Sequence, residues 1–180
     1  MRKACKLRRY VQLRTDRQGT SGEGTVVYYK RFLHCCPVDT PRLIDLEATA
    51  CKLAISGHGT LIIVSVYLAS SKELLRSDLE SLLALGEHVI LFGDFNSKNA
   101  EWNCVSTNTN ARILADLRDT LEFDVIAPLT PTLFPDKDRN RPDILDIALM
   151  RNVNLKLGCR DAAASFLRSL PSLHEIRAYL

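Results

Sequence analysis

No stretch of this 180-residue chain is apolar for anything near the ~20 residues a membrane helix needs. The opening MRKACKLRRY is basic but has no apolar h-region behind it, so it does not read as a secretory signal. Six cysteines are present, yet none forms a CxxC pair and none joins a histidine at zinc spacing. They are expected to be reduced thiols of an intracellular protein. The four histidines, His34, His58, His88 and His174, have no paired spacing. Walker A, GxGxxG and GxSxG patterns are absent, which removes three common phosphate and nucleophile signatures. There are no internal repeats and no low-complexity segment.

What remains is an ordinary globular composition, 46% hydrophobic and 25% charged, enough for one domain with a core. The net charge of +3 is uneven. Residues 1–31 hold nine Lys/Arg against two acids, and residues 32–180 hold fifteen against nineteen. A basic arm is the footprint of a polyanion partner or simply a solvated surface strand.

GTSGEGT (residues 19–25) is a turn cluster, and TVVYYKRFL (25–33) is β-branched and aromatic, a strand. LIDLEATACKLAIS (43–56) alternates, turns at GHG (57–59) and continues as TLIIVSVYL (60–68), which predicts a hairpin. Ser70 and Glu73 have capping-box spacing. Leu75, Leu79, Leu82 and Leu83 then fall on one helical face, with Gly86 as the stop. HVILFGD (88–94) is apolar on both faces and belongs in the middle of a covered sheet. A second helix runs from about Asn110 to Leu121 with Ile113, Leu114, Leu117 and Leu121 inward. FDVI (123–126) and ILDIALM (144–150) are strands, separated by a loop of Pro and charge at 135–143. Hairpins mixed with strand–helix–strand units predict an α/β sandwich with packed sheets inside and helices outside.

Four residues are candidates for chemistry. In extended chain, Asp94 and Asn96 project to one side where a buried strand ends, with Phe95 turned into the core and Gly93 allowing close backbone approach. A carboxylate there accepts a proton from water or holds Mg²⁺, and an amide donates to a phosphate oxygen without adding charge. The same letters also suit a plain strand-to-loop turn. Asp146, among apolar neighbours, either orients a histidine or metal, or caps backbone N–H groups. Tyr67 leaves the core at a strand end, where its hydroxyl reaches a phosphate or packs inside. Trp102 either stacks a base or roofs the core, and the core is the commoner fate.

VILFGDFNSKNAEWNC (89–104) and RPDILDIALM (141–150) resemble the endonuclease domain of insect jockey-like non-LTR retrotransposons, within the exonuclease–endonuclease–phosphatase superfamily. YVQLRTDR (10–17), GEGTVVYYKR (22–31), LEAT (46–49), IVSVYL (63–68) and FDVIAPLTPTLFP (123–135) resemble family segments in the family's order. The resemblance spans about residues 8–155. It implies a DNase I-like sandwich of two packed mixed β-sheets flanked by helices, incomplete, over residues 1–155, with a divergent tail at 156–180. It also implies Mg²⁺-dependent hydrolysis of a DNA phosphodiester, nicking a target so that its 3′ end primes reverse transcription in the nucleus. Asp94 would activate the water, Asn96 and Tyr67 would hold the phosphate, and Asp146 would orient the catalytic histidine. The basic loop Lys137, Arg139 and Arg141, with Trp102, is the candidate nucleic-acid surface, although a solvated turn explains the loop equally.

The family pattern is incomplete here. An Asn-bearing strand and one ending in the metal-binding Glu precede the YVQLRTDR element in the family, and neither is found. The family's closing Ser-Asp-His is absent, and His174 in SLHE does not match it. Losing one general base or metal ligand commonly costs ~10²–10⁴ in rate. The chain is therefore expected to be inactive alone, with exposed sheet edges. The tail at 159–180 is expected to be helical through Phe166, Leu170 and Leu173, although Pro171 breaks that helix. The alternatives are a non-catalytic nucleic-acid-binding remnant of a mobile element and a phosphatase of the same superfamily.

Overall fold

β-branched and aromatic residues fill Gly24–Lys30, and this segment is strand β2, paired antiparallel with β1 (Tyr10–Asp16). The computed structural model describes residues 7–16, 24–55, 59–134, 141–153 and 176–179. A short strand β9 (Ile176–Tyr179) lies antiparallel on the other side of β2, giving the order β1-β2-β9. The larger sheet contains β3 (Cys35–Val38), β4 (Leu46–Ile55), β5 (Gly59–Leu68), β6 (His88–Asp94), β7 (Asp124–Ile126) and β8 (Asp146–Arg151). Its order is β3-β4-β5-β6-β8-β7, and only the β5–β6 neighbours run parallel. A parallel pair needs a crossover, and α1 (Arg76–Leu83) provides it. Helix α2 (Thr109–Leu121) follows β6.

The period-2 pattern sorts residues to two faces. Val64, Val66, Leu91 and Leu149 meet Leu79, Leu82 and Leu114 of the helices. Ile63, Ile90, Phe92 and Met150 face the small sheet through Val27 and Tyr29. The sheets are also tied by hydroxyls: Thr49 Oγ1 lies 2.7 Å from Thr25 Oγ1 and 2.8 Å from Thr15 Oγ1.

The predicted hairpin is β4–β5, and HVILFGD is the centre of the larger sheet, with Val89 to Leu91 at most 1% exposed. The second helix matches its expected span, with Leu114 fully buried and Ile113 and Leu121 at its margin.

Two expectations need correction. The capping box does not start a helix: α1 begins at Arg76 after Leu75, which makes no side-chain cap. Leu74 is drawn into the core instead and gives its N–H to Asn110 Oδ1 at 3.0 Å, so the chain stays extended for a turn longer. Gly86 does not stop that helix, which ends at Leu83; a Cβ on Gly86 would lie 2.6 Å from Ile62 Cγ1, so tight packing requires it. The helix expected through Phe166, Leu170 and Leu173 lies outside the described residues, and residues 176–179, beyond it, form strand β9. The strands β1 and β3 were not predicted from pattern. Among the described residues, no helix is long and apolar enough to cross a membrane.

Asp78, in the first turn of α1, is 2% exposed and accepts the N–H groups of Ile44, Asp45 and Leu46 at 2.9 to 3.2 Å. It fixes the entry into β4. Replacing it with alanine strands three backbone donors, and hydrogen bonds to charged groups are worth about 1.5–3 kcal/mol each. Asp78→Ala is expected to lower stability by about 3 kcal/mol or more, read from the urea midpoint, with Asp78→Asn losing less.

Candidate phosphate site at the open end of the large sheet

Four polar side chains form a row across the sheet. Register places Glu47 on β4 opposite Tyr67 on β5, Tyr67 beside Asp94 on β6, and Asp94 opposite Asp146 on β8. Residues paired in register share a face, so the row lies on the side facing the small sheet, at the ends of β5 and β6. Glu47 escaped the sequence reading. Its signal was a carboxylate on the inward register of a strand whose other inward residues, Cys51 and Leu53, are buried.

The chain leaves β6 through a tight, hydrogen-bonded loop. Phe95 is fully buried, as expected, while Asp94 and Asn96 are half-buried. They come together less by extension than by a turn, for Asn96 has φ 46°. Its N–H donates to Asp94 Oδ1 at 2.7 Å, and its side-chain amide donates to the Leu68 carbonyl at 3.1 Å. One amide hydrogen of Asn96 is thus committed to the fold, leaving the other for a ligand. Asn108 secures the loop from beneath: its amide donates to the Asn96 carbonyl at 2.6 Å, and its Oδ1 accepts the Lys98 and Ala111 N–H groups.

Trp102 is 6% exposed, sits in a single 3₁₀ turn (Ala100–Trp102), and donates its Nε1–H to the Ser97 carbonyl at 3.0 Å. It roofs the core and presents no open face for a base to stack on. Lys137 and Arg139 lie outside the described residues; Arg141 is exposed. His34 is exposed just before β3, and His88 starts β6 at the end away from Asp94, with Nδ1 2.6 Å from the Asn152 carbonyl. His58 and His174 lie outside the described residues.

Two further contributors were not predicted. Thr132 Oγ1 accepts the Leu145 and Asp146 N–H groups at 3.0 and 3.1 Å, and the nearby hydroxyl draws the Asp146 carboxyl down against burial. Lys98 Nζ pairs with Asp143 Oδ2 at 2.8 Å, and the Asp143 side chain is 7% exposed. Burial pushes Asp143 up, but Lys98, Cys104 and the Ile144 N–H outweigh it and hold the carboxyl below its usual range. The ion pair joins the loop after β6 to the approach to β8, which fixes Asp94 against Asp146.

Asp94 and Asp146 are both raised. Burial pushes Asp94 up to about 6; the Asn96 N–H opposes, the Asp146 charge adds, and Lys98 subtracts. Burial also raises Asp146 against the Thr132 hydroxyl. A pair of adjacent carboxylates suits a hard cation or a shared proton. The third carboxylate, Glu47, stands two strands from Asp94, roughly 10 Å at the backbone, with Tyr67 between them. Among the described residues no three acidic, histidine or cysteine side chains converge, so this donor set does not make a complete magnesium cage. A cleft lined by Thr15, Asp16, Arg42, Asp45, Glu47 and Lys72 opens beside the Glu47 end of the row.

The family model described as endonuclease-reverse transcriptase matches residues 61–167, more than half of the chain and all of the Tyr67–Asp94–Asp146 row. The chain belongs to that family. Its nucleases are in general metal-dependent. Among curated proteins, the RNA-directed DNA polymerase from mobile element jockey of Drosophila melanogaster is 27% identical over 129 residues, covering 71% of this chain. Its Drosophila funebris counterpart is 24% identical over 102 residues, covering 56%. The chain spans only 14% and 11% of those two proteins. Among solved structures, the endonuclease domain of TRAS1, a telomere-specific non-LTR retrotransposon, aligns with TM-score 0.64 at 14% identity, over 81% of this chain and 68% of that one. The likeness shows the DNase I-like fold.

The raised carboxylates give a pH dependence. A folded pKa of about 6 for Asp94 against an ordinary 3.8 means the folded state holds its proton more tightly than the unfolded state. Stability from this group is full below the ordinary value and is lost as pH rises through about 6. Asp94→Asn is expected to flatten that fall and to exceed the wild type in stability at neutral pH, with Asp146 leaving a residual slope. Urea unfolding across the window measures both.

Proposed function

We propose that the row of Tyr67, Asp94 and Asp146, with Asn96, is the phosphate-and-water half of a target-nicking DNA endonuclease. The observation that carries this reading is the register itself, which sets a phenol beside two opposed carboxylates at one end of the sheet. Asp94, with its pKa near 6, accepts the proton of an attacking water. The Tyr67 hydroxyl and the free Asn96 amide hydrogen donate to phosphate oxygens, where charge grows in the transition state. Asp146, gripped by Thr132, orients a histidine that the described residues do not place there. Mg²⁺ enters only with a further carboxylate beside Asp94. The relatives are RNA-directed DNA polymerases from a mobile element, which supports a reverse transcriptase as the partner domain in a parent element; the nucleus is the site of action that nicking of target DNA calls for. Residues 1–155 make up the endonuclease-like unit. The match to an endonuclease-reverse transcriptase family favours this reading over a phosphatase.

With neither a third metal ligand nor a histidine at the row among the described residues, the 180-residue chain is expected to leave supercoiled plasmid intact in Mg²⁺. Nicking that Asp94→Ala abolishes would overturn this inactivity. Grafting the Asn- and Glu-bearing strands and the Ser-Asp-His segment of a jockey endonuclease onto the chain is expected to create nicking. Within that chimera, Asp94→Ala is expected to remove it, and Tyr67→Phe to slow it on the order of 10²-fold. A chimera that is folded yet silent would refute the site.

A further inference from the structure

Two thiols lie apart from the phosphate site. Cys35 is on β3 and Cys51 on β4, where Cys35 pairs with Leu53 and Pro37 with Cys51. The two cysteines are therefore diagonal neighbours on one face, the face toward the small sheet, where both join the same apolar cluster. Cys51 is fully buried and Cys35 partly exposed. Each thiol acts on the other: Cys51 holds Cys35 below the ordinary thiol range against its burial, and Cys35, together with burial, pushes Cys51 up. The Tyr29 hydroxyl donates to the Cys35 carbonyl at 3.4 Å from the opposite sheet. Cys36 occupies the alternate register opposite Lys52, and both are exposed.

We propose that Cys35 and Cys51 are a reversible thiol–disulfide pair, oxidised by hydroperoxides, that pins the edge strand β3 to β4. The Cys35 thiolate attacks one peroxide oxygen, the O–O bond breaks, and hydroxide leaves, so the peroxide is reduced and Cys35 becomes a sulfenic acid. Cys51 then attacks the Cys35 sulfur as its proton passes to the departing oxygen; the S–S bond forms, the S–O bond breaks, and water leaves. Overall, two thiols lose two hydrogens and hydrogen peroxide becomes two waters.

The order of attack follows from exposure, since peroxide reaches Cys35 and not Cys51. Diagonal partners have Cα atoms ~7–8 Å apart, slightly beyond the ~4.4–6.8 Å of an unstrained disulfide. Closure must draw β3 along β4. That strand is four residues long, pairs with one neighbour among the described strands, and contains Pro37, which lacks an N–H. A bond closed this way is strained, which places it among the easily reduced, regulatory disulfides.

The test treats the folded full chain with hydrogen peroxide and maps tryptic peptides. The expected product joins residues 32–42 to residues 43–52, with a mass lower by two hydrogens than the two free peptides, and glutathione reverses it. The link is expected to persist in Cys36→Ser and to vanish in Cys35→Ser and in Cys51→Ala, with circular dichroism verifying that each variant is folded. A link that survives Cys35→Ser, a bond between Cys35 and any cysteine other than Cys51, or sulfinic acid on Cys35 beside a free Cys51 thiol would overturn the proposal.

Discussion

A Cβ at residue 93 would sit 2.1 Å from the Val66 carbonyl oxygen, and the open end of the sandwich depends on its absence. Gly93 has φ +140°, a conformation that side chains rarely tolerate. With glycine there, β6 closes on β5 right up to its last residue and Tyr67 stands level with Asp94. On its other side, β6 keeps Asp146 opposite Asp94. The three functional candidates are therefore neighbours because of one missing methyl group. A bulge or slip at residue 93 would separate the phenol from the carboxylates without touching any of them.

The same closeness sets two carboxylates side by side in a half-buried position. Loop hydrogen bonds hold them there, from Asn96 to Asp94 and from Thr132 around Asp146, with Lys98 and Asp143 bracing the two approaches. The fold spends stability on an arrangement that a hydrophobic pair would satisfy better, which is the pattern of a site shaped for a ligand. The cation needed to offset these charges is only partly present in Lys98, whose own charge is taken up by Asp143.

Much of this was legible in the sequence because the patterns concerned are local. Uninterrupted apolar letters placed HVILFGD at the sheet centre, and the leucine spacing placed α2. GDFN marked the strand end that proved to hold Asp94. The misses came where distant contacts decide. Ser70 and Glu73 look like a helix start, yet burial of Leu74 and its bond to Asn110 delay the helix. Gly86 resembles a helix stop, yet its role is space for Ile62. Glu47 and Thr132 gain meaning only through partners on other strands, and no spacing along the chain reveals a register across it. Strand β3, with adjacent cysteines and a proline, has a composition that propensity alone never assigns to a sheet.

The two sheets draw on the chain differently. Every strand of the larger sheet comes from residues 35–151, whereas β2 is flanked by β1 from early in the chain and β9 from residues 176–179. Pairing β2 with β9 closes a loop that contains the whole larger sheet, and such closure carries an entropy cost that local hairpins avoid. The larger sheet is then a cooperative unit able to assemble first, with the smaller sheet zipped onto its Ile63–Ile90–Phe92 face afterwards. Assembly in that order would set the register of the row before the smaller sheet covers the face that carries it.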